Sequence, residues 1–164
     1  MFKAKKMRSN KSGFTLIEVV LVLAIGGLIF LLAFIAFGQA TKNRRDTSRR
    51  SEAARVISEI ENAKGDTNGF ALNSGTYIGG FVDQYLGGTD NGSTGGSFTS
   101  NNITYEVRYD TSVSSYPDST SGTAYMAIHN GSKCAANSMN NTGNTGDYAV
   151  IVKLEKGSAC RDNQ

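Results

Sequence analysis

Apolar and polar positions along the chain fall into zones of different period. Residues 14–37 are almost wholly apolar, and Val19 to Phe37 is a run of 19 residues with no polar or charged side chain. A spanning helix needs about 20 such residues, so this run is long enough to cross a bilayer. Residues 38–65 are polar but keep an apolar set, Ala53, Ala54, Val56, Ile57, Ile60 and Ala63, at i, i+3, i+4, i+7 spacing. That spacing is the signature of one helical face, and Gly65 is a natural stop. Read without a break, Phe14 to Lys64 predicts a single helix of 51 residues, about 75 Å long at a rise of 1.5 Å per residue.

From residue 66 onward the chain is rich in Gly, Ser, Thr and Asn, with short apolar runs. Ile103–Tyr109, Thr123–His129 and Tyr148–Leu154 alternate or run apolar for strand lengths. The last is the most continuous and predicts a central strand. Tyr77–Leu86 fits a strand or a short helix equally well, and Gly87–Gly96 reads as loop by composition. The pattern therefore predicts an α+β fold. A long N-terminal helix, with a membrane half and an amphipathic half, packs on a small antiparallel β-sheet head. Its segments are a basic stretch (1–13), a transmembrane half (14–37), an amphipathic half (38–65) and a β-rich head (66–164).

Charge sharpens this division. The chain has 17 Lys and Arg against 14 Asp and Glu, a net charge of +3. Lys3, Lys5, Lys6, Arg8 and Lys11 all lie in residues 1–13, which hold no acid. Without those five the remainder has 12 basic and 14 acidic groups, so its net charge is −2. The basic balance thus belongs to the N-terminal stretch and carries no argument for nucleic acid. Basic residues ahead of an apolar run predict a cytoplasmic N-terminus and an exported C-terminus. A second cluster, Lys42, Arg44, Arg45, Arg49 and Arg50, makes the other flank positive too. The first flank usually dominates.

Glu18 is the one carboxylate in the apolar zone. At mid-bilayer a carboxylate costs about 2.5–3.5 kcal/mol on the translocon scale, and intramembrane acids usually have a partner or a function. No Lys, Arg or His lies between Phe14 and Gln39 to serve as that partner. A cut between Gly13 and Phe14 would free an α-amine, with an ordinary pKa near 8, one turn from Glu18. In a neighbouring copy shifted along the axis the two groups could meet, and such a pair in low dielectric sets register. Two plainer readings stand beside this one. A secretory signal peptide could be cut near Ala36-Phe37-Gly38, although signal-peptide apolar regions run about 7–15 residues. A simple anchor helix is the other.

Lys11-Ser12-Gly13-Phe14-Thr15-Leu16-Ile17-Glu18-Val19 resembles the cleavage and methylation motif of type IV pilins and type II secretion pseudopilins. The resemblance covers roughly residues 1–64. It implies that a membrane-embedded aspartyl prepilin peptidase cuts after Gly13 and that Phe14 is N-methylated. It also implies that Glu18 neutralises the Phe14 amine of an adjacent subunit. The implied partners are copies of the chain and other pilins, the peptidase, an inner-membrane assembly platform and, before assembly, membrane lipid. The implied location is a single-pass precursor in the cell membrane, then an extracellular pilus or an envelope-spanning pseudopilus. Two features depart from the common pattern. The only proline is Pro117, so Gly26, Gly27 and Gly38 are the weak points of the first helix, at about 1 kcal/mol each relative to Ala. The leader, at 13 residues, is also longer than in many relatives.

The function implied is that of a structural filament subunit serving adhesion, surface motility or cell attachment. One alternative is a pseudopilin of a type II secretion or DNA-uptake machine. Another is a monomeric membrane-anchored binding protein. The run Lys42–Arg50 fits contact with anionic lipid headgroups, ion pairing with a neighbour's Glu59 or Glu61, or DNA binding, which has no other support.

Cys134 and Cys160 sit on the exported side, where a disulfide is permitted. It would close a loop of about 27 residues and contribute on the order of 3–4 kcal/mol. Many pilins pin their C-terminal region this way; two free thiols is the other possibility. The sequence points away from an enzyme and from any metal or cofactor. His129 is the only histidine, and no nucleophile-elbow, P-loop or zincin motif occurs. Asp90-Asn91-Gly92 resembles a fragment of a calcium loop but lacks the ligand spacing, so it reads as a turn. Four glycosylation sequons, at Asn91, Asn102, Asn130 and Asn140, are of a kind that arises easily in an Asn/Ser/Thr-rich chain.

Overall fold

The structure, a computed structural model, describes residues 13–66, 72–144 and 146–164. Apart from Gly13, the basic leader and its lysines lie outside the described residues. Contacts divide the chain into two compact units, residues 1–41 and 42–164. The first holds the apolar start of helix α1 (Leu16–Gly65). Its side chains from Phe14 to Thr41 are all exposed. Glu18 stands in the first turn of α1 and Lys64 in the last, each favourable to the helix dipole.

In the second unit the C-terminal part of α1 packs on a sheet. Ala53, Val56, Ile60 and Ala63 are buried there, as their spacing predicts. Ala54 is exposed and Ile57 only half-buried, so the buried stripe is narrower than the sequence pattern. Beside α1 lies a second helix, α2 (Gly75–Leu86), which resolves the strand-or-helix choice for Tyr77–Leu86. Ile78, Phe81, Val82 and Leu86 form its buried face. Gly87 ends it in the left-handed region, φ 63°, the usual place for glycine after a helix. Gly79 sits inside α2 because a Cβ there would lie 1.9 Å from Asp90 Oδ1.

Among the described residues eight strands follow: β1 (Thr89–Asp90), β2 (Gly96–Ser100), β3 (Ile103–Tyr109), β4 (Thr123–Asn130), β5 (Lys133–Ala135), β6 (Ser138–Asn140), β7 (Tyr148–Lys153) and β8 (Ser158–Asp162). The main sheet has the order β1-β2-β3-β4-β7-β8, with β5 and β6 as a separate hairpin. β7 is internal, as its apolar run predicts. The segment expected to be pure loop, 87–96, instead holds β1 and a short 3-10 turn at Gly92–Thr94. Glycine-rich composition hid a strand two residues long.

The sheet is antiparallel except at one seam. β3 and β4 run parallel, with Thr104 opposite Thr123 and Tyr109 opposite Ile128. A parallel pair needs a crossover of about a dozen residues or more, and residues 110–122 supply it. Tyr105, Val107, Met126, Ile128, Val150 and Val152 face the helices and make the main core. On the opposite face Val113 of the crossover packs with Ala127 and Ile151, flanked by Tyr116 and Met139. The sheet is therefore covered on both faces: by helices on one, and by the crossover and the β5–β6 hairpin on the other.

Candidate functional site

At the start of α1, Gly13, Phe14 and Thr15 precede the first helical residue, Leu16. Phe14 is 90% exposed. Thr15 and Glu18 close a reciprocal box. The Thr15 N–H and hydroxyl donate to Glu18 Oε2 at 2.8 and 2.9 Å, and the Glu18 N–H donates to Thr15 Oγ1 at 3.3 Å. This is a capping box, which satisfies two orphan donors at a helix N-terminus. The structure thus gives Glu18 a local hydrogen-bond partner, where charge alone demanded a cation from elsewhere. The sequence signal for this box is Thr15-x-x-Glu18 ahead of an apolar run. α1 is also the one helix among the described residues long and apolar enough to cross a membrane.

In the second unit the basic run is split by the fold. Arg49 is fully buried. Its Nη1 lies 2.6 Å from Asp46 Oδ1 and 3.6 Å from Glu155 Oε1. Its Nη2 donates to the Thr120 carbonyl. Arg45 Nε donates to Glu155, and the Glu155 N–H donates to Asp46 Oδ1 at 3.1 Å. Glu155 sits in the turn between β7 and β8, so this cluster clamps that turn onto α1. The Arg45 hydrogen bond, with the charges of Arg45, Arg49 and Lys42, holds the Glu155 carboxyl below the usual carboxylate range. The reading of Lys42–Arg50 as one run facing lipid, a neighbour or DNA is corrected for two members: Arg45 and Arg49 pair within the chain. Lys42, Arg44 and Arg50 remain exposed. The acids suggested for a neighbouring copy have partners of their own, since Glu61 accepts from the Tyr148 hydroxyl and Glu59 from Asn62.

Cys134 of β5 and Cys160 of β8 form a disulfide, with Cα atoms 5.6 Å apart. It ties the hairpin to the edge of the main sheet, and the Cys134 N–H donates to Asp162 at 2.8 Å alongside it. His129 stacks on Tyr109 with ring centres 4.7 Å apart. Its Nδ1 meets Ser132 Oγ at 2.9 Å, and that hydroxyl donates to Asn141 Oδ1 at 2.8 Å. A serine hydroxyl has one proton, so Nδ1 is the donor to Ser132. Asp90 uses Oδ1 to accept from the Gly92 N–H at 2.7 Å, the geometry of an Asx turn.

The long helix with an exposed apolar start, carried on a β-rich head, is an α+β, pilin-like arrangement, and one comparison bears on its N-terminal end. Residues 8–34 match the family model of the prokaryotic N-terminal methylation motif. That motif is the prepilin signature of type IV pilins and pseudopilins, and in general it implies processing by a prepilin peptidase and self-assembly. No curated protein and no solved structure matches the chain. The apolar helix and the motif together fit a membrane-anchored precursor.

Proposed function

We propose that the chain is a structural subunit of a type IV pilus-like filament and not an enzyme. The observation that carries this reading is the apolar half of α1. It is exposed along its whole length, has Glu18 as its only charge, and falls largely within residues 8–34, the match to the methylation motif. An apolar surface of that extent is stable only in lipid or against other helices. In this reading the peptidase cuts between Gly13 and Phe14, Phe14 is N-methylated, and copies then bundle through their apolar halves. Glu18 exchanges the Thr15 hydrogen bonds for the Phe14 amine of the next copy. The head, pinned by the Cys134–Cys160 disulfide, forms the outer surface for adhesion, motility or attachment.

N-terminal mass spectrometry of the membrane-extracted protein tests the processing. A chain starting at Phe14 with one added methyl group is the expected result. A start near Gln39 would mean an ordinary secreted protein, and an uncut chain would mean a plain anchor. Glu18→Ala separates assembly from anchoring, with loss of filaments expected. A pseudopilin shares all of these features, so the deletion strain is imaged for surface filaments and assayed for secretion and DNA uptake in parallel.

A further inference from the structure

Glu155 and Lys156 are the two central residues of the β7–β8 turn, which the Leu154 N–H closes by donating to the Gly157 carbonyl at 3.0 Å. Glu155 turns to α1, where it accepts from Arg45 Nε, and its own N–H donates to Asp46. Lys156 is left exposed beside it. Lys42 stands on the same face of α1, three residues before Arg45 and seven before Arg49. The head covers Arg49 completely, whereas Lys42 is exposed. The head therefore ends at this turn, and Lys42 and Lys156 edge the rim at which α1 enters it. The Lys42 charge is still close enough to help hold the Glu155 carboxyl below its ordinary range.

This rim is cationic and the rest of the head is not. The five cations of Lys42–Arg50 together with Lys156 face two acids, Asp46 and Glu155, a net charge of +4. Residues 42–164 as a whole hold 12 Lys and Arg against 13 Asp and Glu, a net charge of −1. Everything in the head outside the patch therefore sums to −5. A cationic patch by itself fits any anionic partner, but the position of this one selects among them. Lys42 comes five residues after Phe37, the last residue of the apolar run. Five residues rise about 7.5 Å as helix and reach no further than about 18 Å when fully extended. The headgroup layer is about 5–7 Å deep on each side of a bilayer. With the apolar run in lipid, the tether keeps the patch beside the headgroups, where lipid phosphates are at high effective concentration. A nucleic acid or a soluble anion has to reach it from solution.

We propose that the β7–β8 turn is a lipid-docking element: before assembly, Lys156 joins Lys42, Arg44 and Arg50 on the phosphates of an anionic bilayer and sets the attitude of the head. The remainder of the head, at −5, is repelled by the same surface, so one orientation is favoured. Glu155 acts as the positioning residue. By holding the turn on α1 it assembles the patch from segments more than a hundred residues apart. The proposal rests on the apolar run being the membrane anchor, and it holds for a pilus and a pseudopilus alike.

The test is methyl NMR of the full chain in lipid nanodiscs, with its lysines reductively methylated by an isotope label, which keeps their charge. A trace of lipid with a nitroxide headgroup relaxes the methyl groups that lie near headgroups. Discs of phosphatidylcholine are compared with discs that also contain phosphatidylglycerol. Lys64, exposed and 22 residues beyond Lys42 on α1, is the distant reference. Lys42 should be relaxed in both discs, and Lys156 more strongly with phosphatidylglycerol than without it. Salt at about 0.5 M, which shortens the screening length to ~4 Å, should remove that difference. Arg44→Gln should lower the ratio of docked to undocked heads about five-fold, with near-UV circular dichroism verifying the native head. Lys156 relaxed alike in both discs, or no more than Lys64 with phosphatidylglycerol, would overturn the proposal while Lys42 still reports insertion. Lys42 unrelaxed in both discs would overturn the anchor reading as well. A Lys156 signal indifferent to lipid but shifted by short duplex DNA, or by a second copy in the disc, would overturn the lipid assignment and give the patch to that partner.

Discussion

Replacing Arg49 is the sharpest test of the clamp between α1 and the β7–β8 turn. Arg49 has no exposed side-chain surface, while Asp46 and Glu155 are 22% and 15% exposed. Removing one member of a buried ion pair typically costs about 3–5 kcal/mol, because a charge is left uncompensated. Here the carboxylates keep some contact with water, and Glu155 keeps Arg45, so the low end applies, ~3 kcal/mol. The Thr120 carbonyl also loses its Arg49 donor. For a head of residues 42–164, that loss lowers the melting temperature by about 10–15 °C. The assay is thermal unfolding of the full chain in micelles, followed by near-UV circular dichroism of its seven tyrosines. This signal reports the head and not the apolar helix, which holds no tyrosine. Arg50→Ala, one residue away and exposed, serves as the control and should change stability by no more than about 0.5 kcal/mol. Arg49→Met combined with Asp46→Asn and Glu155→Gln should recover much of the loss, because a neutral, well-packed cluster carries no unpaired charge. An Arg49→Ala variant as stable as Arg50→Ala would refute the clamp.

The remaining predictions concern pH and the disulfide. Glu155 is held below the ordinary carboxylate pKa in the folded head. The unfolded chain therefore takes up its proton first, and this contribution is full above about 4.5 and lost as pH falls through the folded value. Urea midpoints from pH 7 to pH 3 should fall, and Glu155→Gln should flatten that slope. Tyr105 and Tyr116 are pushed up to about 12, chiefly by burial, so their neutral forms favour the fold. Stability should be full below about pH 10 and decline between pH 10 and 12. The tyrosinate absorbance due to these two, read as the difference from a Tyr105→Phe/Tyr116→Phe variant, should rise together with unfolding, not before it. Replacing both Cys134 and Cys160 by serine should cost on the order of 3–4 kcal/mol, read as a fall in the urea midpoint with the helical signal retained.

Legibility in the sequence followed how far apart the interacting residues are. The apolar run and the Gly13–Glu18 motif are linear signals, and both read out directly. The buried stripe of α1 read nearly as well. Its one clear error, Ala54, follows from alanine carrying little weight on either face, and each step in a helix turns it by about 100°. The parallel seam was not legible. Alternation in Ile103–Tyr109 and Thr123–His129 fixes which side chains face the core, but it is blind to strand direction. Only the 110–122 connection, long enough to cross the sheet, carried that information. In α2 the pair Gly79-Gly80 masked the helical spacing of Ile78, Phe81, Val82 and Leu86. The short polar strands β5, β6 and β8 have too few apolar positions for any period to show.

The basic run shows the same limit most clearly, because residues that look alike in sequence do different work in the fold. Five cations lie between Lys42 and Arg50, and composition treats them as one patch. Glu155, more than a hundred residues away, withdraws Arg45 and Arg49 from that patch. Lys42, Arg44 and Arg50 are what an anionic partner meets. For a lipid surface, at about 1 kcal/mol per accessible Lys or Arg, the attraction is then about 3 kcal/mol where the composition suggests about 5. The difference is roughly thirty-fold in binding. It should appear in vesicle binding as equal losses from Lys42→Gln and Arg44→Gln, whereas the paired change Arg45→Gln with Glu155→Gln removes a neutral pair, weakens the fold and leaves the net surface charge unchanged.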